Sequence, residues 1–137
     1  MNLKNRLPAV VTGIKKGKLN AHINLEWDGM PLSVIITSTS AEEMELIEGV
    51  EVDALFKASD VILAKDLSGQ LSARNIFDGK ITEIVKGFPL AMVTVQADGC
   101  LVSAEITVSS LDNMGMEVGD NVQVVIKSSE LILAKKA

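Results

Sequence analysis

Residues 28–40 read DGMPLSVIITSTS, and residues 98–110 read DGCLVSAEITVSS. The second stretch starts 70 positions after the first (98 − 28), and that register holds along the chain without a gap. Upstream, Asn5 falls on Asn75, Thr12 on Thr82, Ile14 on Ile84, and Lys16-Gly17 on Lys86-Gly87. Downstream, Gly49 falls on Gly119, Lys57 on Lys127, Ser59 on Ser129, and Ile62-Leu63-Ala64-Lys65 on Ile132-Leu133-Ala134-Lys135. A gapless match over a whole half marks a duplication. The chain is read as a first domain over residues 1–66, a second over 71–137, and a linker at 67–70.

Each copy predicts an all-β unit. Residues 8–16 and 78–86 alternate as a first strand, 20–27 and 90–97 give a second, and 31–37 and 101–107 a third. Asp28-Gly29 and Asp98-Gly99 mark tight hairpins, since Gly accepts positive φ and Asp tolerates it. Ser40-Ala41-Glu42-Glu43 reads as a capping box opening a short helical segment, which Gly49 and Gly119 then close. Residues 50–57 and 120–126 give a fourth strand, and Val61–Ala64 and Leu131–Ala134 a fifth. Five short strands with one helical turn between the third and fourth predict two tandem five-stranded OB-like barrels.

Composition narrows the function. The chain has 137 residues and a positive mean hydropathy of +0.31, apolar for two such small units. No apolar run reaches the roughly 20 residues of a membrane helix, and no signal pattern opens the chain. The surplus apolar surface predicts a homo-oligomer, because units this small bury little surface alone. The net charge of −5 and pI of about 4.8 disfavour a nucleic-acid partner. A single cysteine, Cys100, allows no internal disulfide and fits a reducing cytoplasm. Glu42, Glu43, Glu45 and Glu48 fall on Asp112, Asn113, Gly115 and Val118 of the other copy, which keep little of the acidity, so they read as a solvated face and not a metal site. The lone His22, opposite Met92, reads as structural. No nucleophile–base pair, metal-ligand spacing or phosphate loop appears, so no enzyme is predicted.

Leu71-Ser72-Ala73-Arg74-Asn75 resembles the S-A-R-N opening of Mop (TOBE-type) domains. Ile106, Thr107 and Ser110 follow at family spacing, and Ile126-Lys127-Ser128-Ser129 with Leu131-Ile132-Leu133-Ala134 closes the unit. The resemblance, to molbindins and to the ligand-binding half of the molybdate-responsive repressor, implies barrels that assemble tightly and bind molybdate or tungstate between domains; with the apolar surplus, this makes a homo-oligomeric trimer of chains the first expectation and a dimer the second. It implies Ser72, Ala73, Arg74 and Lys127 on one side of a site and Thr107 and Ser110 on the other, with Thr37, Ser40, Lys57 and Lys4 as first-copy counterparts. Such a set suits a tetrahedral dianion, which accepts many hydrogen bonds and must have them satisfied when buried. The start of the helical segment after Thr107 is expected to add N–H groups. The first copy departs from the pattern: Asn2 stands for Ser72, and Lys4 keeps Arg74's charge without its fork.

Read singly, Ser40 and Ser110 are helix caps, Lys57 and Lys127 solvated strand ends, and Arg74 a surface arginine. Their joint spacing favours a cytoplasmic molybdate store. The alternatives are a molybdate-sensing module without its DNA-binding segment, since the chain starts directly in the first domain, and an OB-type nucleic-acid binder. The last needs aromatic platforms, and the chain has three Phe, one Trp and no Tyr.

Overall fold

A computed structural model describes residues 5–136. The first half runs β1 (Asn5–Lys16), β2 (Asn20–Trp27), β3 (Met30–Thr37), α1 (Ser38–Glu43), β4 (Glu51–Phe56), a 3-10 turn (Ala58–Asp60) and β5 (Ile62–Ala64). The second repeats it as β6 (Asn75–Lys86), β7 (Leu90–Ala97), β8 (Cys100–Thr107), α2 (Val108–Asn113), β9 (Asn121–Ile126), a 3-10 turn (Ser128–Glu130) and β10 (Ile132–Lys135). Asp28-Gly29 makes the expected hairpin, with φ of 51° and 80°, the left-handed pair that matches strand twist. Strand β1 pairs with β4 over residues 5–10 and with β2 over 10–16, changing partner at a bulge between Val11 and Gly13. That bulge, repeated in β6, curls each sheet into the predicted barrel-like form.

The last strands are exchanged. The sheets run β10-β4-β1-β2-β3 and β5-β9-β6-β7-β8, so each half lends its fifth strand to the other. The repeated sequence Ile-Leu-Ala-Lys makes this possible, because either copy presents the same side chains to β4 or β9. Trading identical elements costs little. The strand-end lysines fasten the exchange. Lys65 Nζ donates to Met114 O and pairs with Asp120 at 3.2 Å, and Lys135 Nζ donates to Met44 O at 2.9 Å. Met44 and Met114 cap the C-termini of α1 and α2, where free carbonyls favour a cation.

A single apolar core spans both halves, and Trp27 meets Phe77 edge-to-face across it with centroids 5.0 Å apart. Two buried asparagines tie the halves through the backbone. β3 and β8 are edge strands, so their outer peptide groups lack a strand partner. Asn75 Oδ1 accepts from Ser33 N at 2.6 Å while its Nδ2 donates to Ser33 O at 2.8 Å. Asn5 does the same to Ser103, at 2.7 and 2.9 Å. A carboxamide carries one acceptor and a donor group, the complement of one peptide unit.

Three local expectations need correction. β1 begins at Asn5, not residue 8: Pro8 sits where β1 has β4 but not yet β2 beside it, a position that tolerates a missing N–H. The caps of α1 and α2 are Thr37 and Thr107, not Ser40 and Ser110; each threonine Oγ1 accepts from the serine N–H three residues on, at 3.1 and 3.0 Å. After each helix the chain turns through left-handed Glu45 and Gly115, four residues before Gly49 and Gly119.

Replacing Asn75 by Ala orphans the buried Ser33 N–H and C=O and is expected to cost on the order of 2–4 kcal/mol in urea unfolding. Asp120 is held below the usual carboxylate range, first by the Glu117 N–H and then by the Lys65 ammonium. Its folded pKa therefore lies below its unfolded one, and the stability it adds is complete above the unfolded value and lost as pH falls. Thermal melts should lose stability more steeply below about pH 4 in the parent protein than in Asp120→Asn.

Candidate functional site

The fold brings four segments to one hollow of about 320 Å³, open to solvent on one side. The segment leading into β6 supplies Ser72 and Arg74, and the turn after β9 supplies Lys127, Ser128 and Ser129. The first half supplies His22 from β2 and Ser33 and Ile35 from β3. The Asn75 clamp fixes this meeting, since it ties the residue after Arg74 to Ser33. Lys127 sits in extended conformation at the head of the 3-10 turn, whose Glu130 N–H donates to Lys127 O at 3.0 Å.

The hollow is rich in donors. Arg74 and Lys127 bring two cations, and Ser33, Ser72, Ser128 and Ser129 bring hydroxyls. No carboxylate lines it, and among the described residues neither cation is paired with one. Buried Ser33 is the node: its Oγ accepts from Ser128 Oγ at 3.0 Å and hydrogen-bonds His22 Nε2 at 2.6 Å. The structure thus unites a serine and a histidine that lie eleven residues apart (33 − 22) and showed no pairing in the sequence. Nothing orients the other ring nitrogen among the described hydrogen bonds, so the pair lacks the third member of a hydrolytic triad.

The remaining expected residues lie elsewhere. Thr107 and Ser110 line a second hollow of about 440 Å³ with Ser59, Ile62 and Glu105, and no lysine or arginine lines it. Within the chain they do not meet Arg74. Thr37 and Ser40 stand at the end of β3, the strand that serves the Arg74 hollow, without lining it. Each Thr–Ser corner offers hydroxyls in place of the expected N–H groups: Thr107 Oγ1 donates to Ser110 Oγ at 2.8 Å, while the Val108 and Ser110 N–H groups are already given to Pro89 O and Thr107 Oγ1. The first-half corner is wired alike, with Thr37 Oγ1 donating to Ser40 Oγ at 2.8 Å. Lys57 is exposed at the head of the first 3-10 turn, and Ala73 is half-buried between Ser72 and Arg74. Asn2 and Lys4 lie outside the described residues.

Sequence reading did not single out Ser33, Ser128 or Ser129 and read His22 as structural. The signal lay in the repeat. At the equivalent positions the other copy carries Met92 for His22, Glu105 for Ile35 and Ala58 for Ser128. The full donor set is therefore found in one register of the repeat and not in the other.

Two OB-like barrels exchange their last strands, and a compact cluster of cations and hydroxyls lies between them, chemistry suited to a small anion. The chain belongs to the TOBE domain family, which it matches twice, over residues 3–63 and 71–133. It is 37% identical over 134 residues to the molybdenum-pterin-binding protein MopA of Rhodobacter capsulatus, covering 96% of this chain and 51% of that one. It is 33% identical over 133 residues to the molybdenum transport protein ModE of Azotobacter vinelandii, covering 96% and 49%. The chain thus spans about half the length of these two relatives. The crystal structure of the cytoplasmic molybdate-binding protein ModG with molybdate bound superposes with a TM-score of 0.94 at 33% identity, covering 98% of this chain and 97% of that one.

Proposed function

We propose that the protein binds molybdate or tungstate without chemistry on it, as a cytoplasmic store, in the hollow around Arg74 and Lys127. The observation that carries this is two cations and four hydroxyls meeting with no carboxylate among them. A guanidinium holds two oxyanion oxygens at once, and serine hydroxyls turn to suit the rest. Specificity against sulfate and phosphate would come from size, because a shell of fixed donors fits one radius best. Phosphate also arrives partly protonated near neutral pH, and its proton would face donors only. The molybdate named for ModG and the molybdenum named for MopA support this reading.

The Thr37–Ser40 corner is the better candidate to complete the shell. It ends the strand that already supplies Ser33 and Ile35. The Thr107–Ser110 corner shares its hollow with Glu105, whose charge repels a dianion. Self-association is part of the proposal, a trimer of chains first. The hollow is open on one side, and Phe88 and Leu19 are 93% and 74% exposed, apolar surface suited to covering by another copy.

Calorimetry should give tight molybdate and tungstate binding, with sulfate far weaker; equal affinity for sulfate refutes the assignment. Arg74→Ala should weaken binding by roughly 30-fold, the equivalent of about 2 kcal/mol for a lost charged donor, at unchanged oligomer mass in native mass spectrometry. The double variant Thr37→Ala/Ser40→Ala should weaken binding about tenfold, and Thr107→Ala/Ser110→Ala by less than about threefold. The reverse order would move the site to the other corner.

A further inference from the structure

The segments of the hollow converge on Asn75. Arg74 directly precedes it in the chain. Its register partner on β9 is Ile126, the residue before Lys127. Its carboxamide closes on the N–H and C=O of Ser33, at 2.6 and 2.8 Å. Asn75 is itself fully buried and does not line the hollow, so it touches no ligand there. One residue thus joins both cations to the strand that carries Ser33 and Ile35. Among the described residues one other hydrogen bond links these parts, Ser128 Oγ to Ser33 Oγ at 3.0 Å, and it joins two hydroxyls that can rotate. A planar carboxamide held at both its groups fixes distance and direction together.

The other copy carries a matched clamp under a different load. Asn5 makes the same two bonds to Ser103, at 2.7 and 2.9 Å, and its register partner Phe56 precedes Lys57. The Ser103 hydroxyl has no hydrogen bond among the described residues, and Ser103 lines neither the Arg74 hollow nor the Thr107 hollow. Met92 stands there for His22 and Ala58 for Ser128. The two clamps share a chemistry, and one of them sits at the donor cluster.

Resting on the oxyanion reading above, we infer that Asn75 is a positioning residue of the site: its carboxamide sets the spacing between Arg74 and Lys127 on one side and Ser33 on the other, and that spacing governs both affinity and the choice of anion. Donors in place before the ligand arrives lose less freedom on binding, and donors held at one radius discriminate by size. With the clamp gone, the two sides are free to settle around the smaller sulfate nearly as well as around molybdate. Molybdate binding therefore falls further than sulfate binding.

The test is calorimetry of the full chain with sodium molybdate and, separately, sodium sulfate, beside urea unfolding of each variant. Asn75→Ala should weaken molybdate binding about tenfold and narrow the preference over sulfate. Asn5→Ala removes the same pair of bonds from the other register. It should lose comparable stability and still bind molybdate within about twofold of the parent. Asn75→Gln, which keeps both groups one methylene further out, should fall between the parent and Asn75→Ala, and it carries the test if the alanine variant does not fold. Equal weakening by Asn5→Ala and Asn75→Ala overturns the inference, because loss of stability then explains both. So does a molybdate-to-sulfate preference that Asn75→Ala leaves unchanged. No molybdate heat in the parent protein overturns the oxyanion reading itself, and this inference with it.

Discussion

The carboxamide of Asn75 stands in for a missing strand along the outer edge of β3. Its two hydrogen bonds to Ser33 satisfy a buried peptide that no strand reaches, and they cross from the second half of the chain to the first. Much else follows from that contact. It sets the segment bearing Ser72 and Arg74 against β3, and it holds the backbone of Ser33, whose hydroxyl joins His22 to Ser128. Asn5 repeats the contact on Ser103, so the halves are tied twice in the same geometry. A polar clamp of this kind has direction, which apolar packing lacks, and it fixes how the two barrels meet.

Strand exchange works to the same end. Each sheet is closed by a strand from the other half, so neither barrel is complete alone. A site between the barrels then sits between parts that cannot drift apart without unpairing a strand. Rigidity of this kind suits anion recognition, where donors must be in place before the ligand arrives.

An acidic chain that gathers two cations in one hollow must do so locally. The net charge is −5, and the five ion pairs found leave Arg74 and Lys127 free among the described residues. Duplication supplied two equivalent sets of positions, and substitution has since made them unlike. Glu105 stands for Ile35, and Ala58 for Ser128.

The repeat, the strands and the Asp-Gly hairpins were legible in the sequence, because each rests on neighbours within a few residues or on the copy 70 positions away, whereas the grouping of Ser72, Arg74 and Lys127 came only from the family resemblance. Caps and strand ends were misplaced by a few residues where Thr37 and Ser40 both suit a cap, or where Pro8 hides a strand start. Only the tertiary structure decided which sheet each Ile-Leu-Ala-Lys strand joins. The two segments are identical there, so local pattern holds no preference, and the choice is made by how the linked barrels pack. The same holds for Ser33, Ser128 and His22. Each is an ordinary residue in its own strand or turn, and they become one network only when the Asn75 clamp brings β3 of one half against the Arg74 and Lys127 segments of the other.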